Sequence, residues 1–165
     1  MVTLFRDNQP VARIVLSPDA EPADRRAAEA LQRVIRQMSG AELPITTEVG
    51  EANNIYIGRA AGMGFDCSED RLGYDGYLIK SSESHLILTG RRPYSSLYAV
   101  YHFLERYMGC GFFEEGEQIP QKDTFSIADM EDLCVPRFTW RTFRPHSNYY
   151  SNLHIPRKIR MPQQI

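Results

Sequence analysis

Two stretches of one-sided helical periodicity, set among short β-branched and aromatic runs, constrain this chain most. In the first, Ala27, Ala28, Leu31, Val34, Ile35 and Met38 recur at three- and four-residue spacing, with Arg25, Arg26, Glu29, Arg33 and Arg36 off the stripe. Pro22 sits where a first-turn proline is tolerated, and Asp19, Glu21 and Asp24 put negative charge near the positive end of the helix dipole. Gly40, just past the last periodic residue, suits a left-handed cap. The second stretch begins near Ser95, buries Leu97, Val100, Tyr101, Leu104 and Met108, and ends at Gly109. A helix with one apolar stripe needs one face of a sheet and no more.

The sheet is supplied by short runs. Val2–Phe5 and Val11–Leu16 read as strands joined by a turn at Asp7-Asn8-Gln9-Pro10. Leu43–Thr47 and Asn54–Gly58 follow the first helix, the latter carrying the β-branched and aromatic Ile55-Tyr56-Ile57. Tyr77–Lys80 and His85–Thr89 are spaced as a hairpin. Residues 59–74 carry three glycines and no period, which predicts a loop with room for one helical turn. Phe112-Phe113 and Gln118-Ile119-Pro120 read as short extended pieces, and Phe125–Ile127 as one more strand. Strands alternating with two long helices predict an α/β (α+β) domain in which a mixed β-sheet carries two main helices.

A length of 165 residues suits one domain with a real core. No apolar run approaches the roughly 18 residues of a membrane span, so membrane anchoring is not expected. Met1–Asp7 offers no apolar stretch of signal-peptide length, and the compartment stays unassigned. Charge is uneven: Arg137, Arg141, Arg144, Arg157, Lys158 and Arg160 lie in residues 135–165, which hold none of the 21 acidic residues. Such a tail fits an anionic partner or an acidic neighbour in a longer protein, and the spread of its charges favours the neighbour over nucleic acid. Cys67, Cys110 and Cys134 are odd in number and lack C-x-x-C spacing, which points to neither a disulfide framework nor a zinc knuckle.

Each chemistry was tested against the residues it needs. Glycosidic hydrolysis needs two carboxyl groups facing each other across a sugar. Glu114, Glu115 and Glu117 form the densest acidic cluster but sit in a turn loosened by Gly116, and the pairs Glu69-Asp70 and Glu131-Asp132 are weaker. Zinc hydrolysis in the H-E-x-x-H manner needs two histidines on one helix face. The second helix has only His102, while His85, His146 and His154 stand apart, so no metal or other cofactor is expected. Cys110, between Gly109 and Gly111, is the most conspicuous thiol, and a small residue in a tight helix exit is the simpler reading. Gly62-Met63-Gly64 lacks the Lys-Ser of a phosphate loop. Thr89-Gly90-Arg91-Arg92-Pro93, between a strand end and a helix start, could hold an anion or be an ordinary turn with surface arginines. No catalytic residue is assigned.

The order of the pieces resembles a known family. Leu31-Gln32-Arg33-Val34-Ile35-Arg36-Gln37-Met38-Ser39-Gly40, then Asn54-Ile55-Tyr56-Ile57-Gly58-Arg59, then Asp75-Gly76-Tyr77-Leu78-Ile79-Lys80 and Leu86-Ile87-Leu88-Thr89-Gly90-Arg91, are similar to the amino-terminal domain of α-glucuronidases and β-N-acetylhexosaminidases of glycoside hydrolase families 67 and 20. Leu97-Tyr98-Ala99-Val100-Tyr101-His102-Phe103-Leu104-Glu105, running into Gly109-Cys110-Gly111-Phe112-Phe113, resembles the same domain in bacterial glycosidase-like proteins. The resemblance covers roughly residues 10–140.

It implies a non-catalytic domain with a fold related to zinc peptidases but without their metal site, standing before a (β/α)8 barrel that holds the active site. On that reading residues 1–134 are the accessory domain. Residues 135–165 start a truncated barrel or form a linker, with disorder, domain swapping or self-association expected there, and Val135-Pro136-Arg137-Phe138-Thr139-Trp140-Arg141 leads into the first barrel strand. Arg141 matches the arginine that contacts the sugar in hexosaminidases, although Thr142 stands where those enzymes usually have Gly. Only 24 of the 165 residues follow Arg141, against about 250 in a (β/α)8 barrel. The implied partners are therefore the barrel of a parent enzyme, its uronic acid or N-acetylhexosamine glycoside, and a second copy meeting this one through residues 135–165. The alternative is an autonomous carbohydrate- or polyanion-binding module using the aromatic and basic tail (Trp140, Phe143, Tyr149, Tyr150).

Overall fold

The structure, a computed structural model, describes residues 1–58, 67–82 and 84–137. Its elements in chain order are β1 (Val2–Arg6), β2 (Gln9–Pro10), β3 (Arg13–Val15), α1 (Pro22–Ser39), β4 (Ile45–Thr46), β5 (Asn54–Ile57), α2 (Glu69–Leu72), β6 (Tyr77–Ser82), β7 (His85–Gly90), α3 (Pro93–Arg106), β8 (Gly111–Phe113), β9 (Gly116–Gln118), β10 (Phe125–Ile127) and β11 (Met130–Cys134). Six strands form the main sheet in the order β11-β6-β7-β5-β3-β4. β4, β3, β5 and β7 run parallel, and β6 and β11 are antiparallel additions at one side. The expected mixed sheet with two main helices is the observed architecture.

Strand pleating divides the sheet residues into two sets. Ile14, Ile55 and Leu86 lie in register across β3, β5 and β7 and join the main core with Ile57, Tyr77, Ile79 and Leu88. Both helices cover this face: the α1 stripe and Ala99, Val100, Phe103 and Leu104 of α3 belong to the same cluster. The next row, Val15, Tyr56 and Ile87, also lies in register but on the opposite face, as a small cluster of its own.

The helix signals behave as their chemistry dictates. Pro22 opens α1 after an extended Glu21, and Gly40 ends it at φ 77°, donating its N–H to the Arg36 carbonyl at 2.8 Å. α3 starts at Pro93, two residues before the sequence reading, and its last helical residue is Arg106, with Gly109 at φ 79° turning the chain toward β8.

Three sequence readings need correction. The first two runs are not partners: β1 pairs with β10 and β2 in a three-stranded sheet, whereas β3 joins the main sheet. The chain bends between them because the N–H groups of Val11 and Ala12 both bond the Leu4 carbonyl. The turn is at Asp7-Asn8, both left-handed, so that Gln9–Pro10 is strand. Finally, β11 was not foreseen, since Met-Glu-Asp-Leu-Cys has little β propensity; it forms on the open side of β6, with Leu133 opposite Leu78. Among the described residues no helix is long and apolar enough to cross a membrane.

Candidate functional site

A parallel sheet presents the ends of its strands and the starts of the following helices on one side, and a crevice opens between them. Here β3 leads into α1 and β7 into α3, and the crevice between the two first turns has a volume of about 310 Å³. Ser17, Asp19, Ala20, Glu21 and Asp24 line it from the β3–α1 side, Gly90, Arg92 and Ser96 from the β7–α3 side, with Ile57 at the end of β5 between them. Two glycines make the close approach possible. Gly58 has φ +83°, and a Cβ there would collide with the Asp24 carboxylate; a Cβ on Gly90 would collide with Ser95. Asp24 is only 5% exposed, and Ser96 only 1%.

The arginines that the sequence offered as an anion cradle are used otherwise. Arg91 donates to the Gly73 carbonyl at 3.0 Å and pairs with Glu69 at 2.6 Å. Arg92 donates from Nε to the Tyr74 carbonyl at 3.1 Å and lies 3.8 Å from the centre of the Tyr74 ring. Its backbone N–H bonds the Ser95 hydroxyl at 3.3 Å. Together they clamp residues 69–74 to the strand-to-helix turn, so the turn with structural arginines is what forms.

The other sequence candidates are dispersed. Glu114 and Glu115 are exposed at the β8–β9 turn. Glu117 accepts two bonds from Arg33, at 2.6 and 3.0 Å, a forked pair that ties β9 to α1 and raises the Arg33 pKa chiefly through that bond. Glu131 accepts from Lys80 at 2.7 Å and Arg71 at 3.0 Å; the Lys80 bond is the main reason its carboxyl sits below the usual range. Asp132 accepts from the Tyr107 hydroxyl at 2.9 Å and lies 3.7 Å from His102 Nε2, while His102 Nδ1 is 3.1 Å from the Tyr77 hydroxyl. Burial, then the bond to Asp132, pushes the Tyr107 hydroxyl up to about 12.

His85 sits edge-on to Tyr56, with its Nδ1 3.3 Å from the Asn54 amide. Cys110 is buried, and desolvation raises its thiol to about 11, opposite to what a nucleophile needs. No group of three metal-ligating side chains converges among the described residues. Arg141 and Gly62-Met63-Gly64 lie outside the described residues. The crevice residues Ser17 and Ser96 were not singled out from sequence; the signal that locates them is the strand–helix order of β3–α1 and β7–α3.

Comparison with known proteins fits this picture. Residues 5–103 match the family described as Glycosyl hydrolase family 67 N-terminus. Among solved structures the chain is similar to a family GH115 4-O-methyl-α-glucuronidase with specificity for decorated arabinogalactans, at 20% identity and TM-score 0.61 over 82% of this chain and 18% of that one. It is also similar to the GH20 β-N-acetylhexosaminidase of Streptomyces coelicolor A3(2), at 19% identity and TM-score 0.58 over 85% of this chain and 24% of that one. The Streptomyces plicatus N-acetyl-β-hexosaminidase gives 18% identity and TM-score 0.55 over the same shares. At these identities the likeness is one of fold, and the chain spans less than a quarter of each protein's length. No curated protein matches the chain.

Proposed function

The chain belongs to the glycosyl hydrolase family 67 N-terminus family, an accessory amino-terminal domain of glycoside hydrolases, and from that membership we propose that it works by supporting a catalytic domain rather than by hydrolysing sugar itself. The observation that carries the reading is the match over residues 5–103, which takes in α1, β5, the β6–β7 hairpin and most of α3, the elements that build the core. The acidic groups support it: Glu69, Glu117 and Glu131 are held in ion pairs, and Glu114 and Glu115 stand in solvent. These five groups do not form the facing pair that glycoside hydrolysis requires.

In this proposal the catalytic partner is a (β/α)8 barrel acting on glycosides of uronic acids or N-acetylhexosamines. Residues 1–134 form the accessory unit and residues 135–165 lead toward the barrel, where Arg141 contacts the sugar. Self-association through residues 135–165 would follow where the barrel is missing. An immunoblot of source cells with an antibody to this chain tests the reading. A band several times larger than 19.0 kDa, or a co-purifying glycosidase, is expected. A band of 19 kDa with no hydrolase bound to it would overturn it.

A further inference from the structure

We propose that the outer face of α3, together with the Tyr74–Arg92 stack beside its first turn, is the surface on which the domain following residue 137 docks. The identity of the occupant rests on the glycoside hydrolase reading; the place where it docks rests on the surface itself.

The two helices that cover the sheet present different outer faces. Along α1 the exposed positions include Arg25, Arg26, Glu29 and Arg36, as on a helix that faces water. α3 presents Tyr94 and Tyr98 instead, 59% and 36% exposed and one turn apart on the same side. The core does not use them, because Ala99, Val100, Phe103 and Leu104 are what α3 gives to it. Aromatic side chains kept outside a core, next to an arginine, are the composition of an interface centre rather than of ordinary surface.

That arginine is Arg92, just ahead of α3. Its Nε donates to the Tyr74 carbonyl, and its guanidinium lies 3.8 Å from the centre of the Tyr74 ring, itself 44% exposed. Its terminal nitrogens make no hydrogen bond or ion pair among the described residues. A guanidinium fixed in place with its outer donors unused is prepared for an acceptor from outside, a carboxylate or a backbone carbonyl on the docking domain.

The course of the chain selects the occupant. β11 ends at Cys134, and the next residue packs on Gly73: a Cβ added there would stand 3.1 Å from the Val135 side chain. Gly73 adjoins Tyr74, so the chain leaves β11 at the margin of this surface, with Val135 also exposed. A domain joined at that point is held beside the tyrosines at high effective concentration, an advantage that neither a free partner nor a second copy has.

The test is photo-crosslinking of the native-length protein in its source cells, with p-benzoylphenylalanine placed at Tyr94, at Tyr98 or, as a control, at Val49. Val49 is exposed just past β4, at the edge of the main sheet opposite β11. Cross-links from positions 94 and 98 to peptides beyond residue 165 of the same polypeptide are expected, with none from position 49. Cross-links confined to residues 138–165, or made to a second copy or an unrelated protein, overturn the proposal. In the same protein Tyr94→Asp with Tyr98→Asp should speed tryptic separation of the two domains about 30-fold, the loss of one interface hot spot. The pair should leave the thermal midpoint of the 165-residue chain unchanged, since both side chains are exposed there. Unaltered proteolysis, or a midpoint that falls in the 165-residue chain as far as in the longer protein, also overturns the proposal. A 19.0 kDa band without a hydrolase removes the occupant and the glycoside hydrolase reading together. A longer protein that cross-links from position 49 and not from 94 or 98 removes the docking surface alone.

Discussion

The two faces of the main sheet start from the same kind of sequence and end in different physical states. Ile14, Ile55 and Leu86 form a row under two helices. One residue along, Val15, Tyr56 and Ile87 form an equally apolar row on the other face. That row continues into charge: Ile87 stands opposite Lys80, and Lys80 opposite Glu131, which also holds Arg71. The helix-covered row continues instead through Ser81 to Met130. One face carries the large main core, the other a small apolar island bordered by ion pairs and by the Asn54–His85 contact. Both rows are buried, Val15, Tyr56 and Ile87 to 4%, 6% and 3% exposure, but only the helix-covered row joins the main cluster.

Truncation on the two faces gives the sharpest contrast. Leu88→Ala, under the helices, should cost about 4 kcal/mol, and Ile87→Ala, on the opposite row, about 2 kcal/mol, as read from urea midpoints at constant slope. Equal losses would show that the two faces are one core.

The seam at the strand ends should be nearly as sensitive. Gly58→Ala places a Cβ in a left-handed conformation against Asp24, and strain with overpacking should cost about 2–4 kcal/mol. Asp24→Ala in the same chain should recover part of that loss, a non-additivity that two independent sites would not show.

The thiols report the same contrast through chemistry. Cys110 lies in the helix-covered core, with its thiol raised to about 11, whereas Cys67 is half-buried with its sulfur 3.7 Å from the Thr89 hydroxyl on the opposite face. At pH 8 iodoacetamide should modify Cys110 in the folded chain about 100-fold more slowly than in urea, and after Cys67. The sign for stability follows: the folded state keeps this proton longer than the unfolded one, so stability is lost as pH rises above 9 toward 11. Labelling of Cys110 at the unfolded rate would contradict the burial.

The smallest effect runs the other way. Ser81 interrupts the covered row, 2% exposed, and its hydroxyl has no partner among the described residues. Ser81→Ala should stabilise the protein by about 0.5–1 kcal/mol, since removing an unsatisfied buried hydroxyl relieves its desolvation. A loss of stability on thermal melting would mean that the hydroxyl is bonded after all.

Much of the fold was legible because its signals are local. The α1 stripe, Pro22 and Gly40 marked a helix by periodicity and capping alone, and the Tyr77–Lys80 and His85–Thr89 runs marked a hairpin by spacing. β11 was illegible because its sequence is a poor strand former; it exists because β6 has an open edge and because Lys80, Arg71 and Tyr107 receive Glu131 and Asp132. The division of β1 and β3 into separate sheets was illegible because it depends on two bonds to one carbonyl, that of Leu4.

The site shows the same limit. From sequence, Asp19, Glu21 and Asp24 were a helix start, Arg91 and Arg92 a possible anion clamp, and Ser96 one residue of a helix. Only the parallel arrangement of β3, β5 and β7 brings the first turns of α1 and α3 together, so that Asp19, Glu21, Asp24, Arg92 and Ser96 line one crevice while Arg91 turns to Gly73 and Glu69. By itself the sequence determined two one-sided helices and most strands of a mixed sheet, since these follow from periodicity and capping, and its motifs, in their order, carried the resemblance to the family. Which rows became core, which carboxylates were neutralised and where a cavity remained was decided by tertiary structure. Burial and ion pairing act between residues far apart in the chain, and their partners exist only once the sheet has closed.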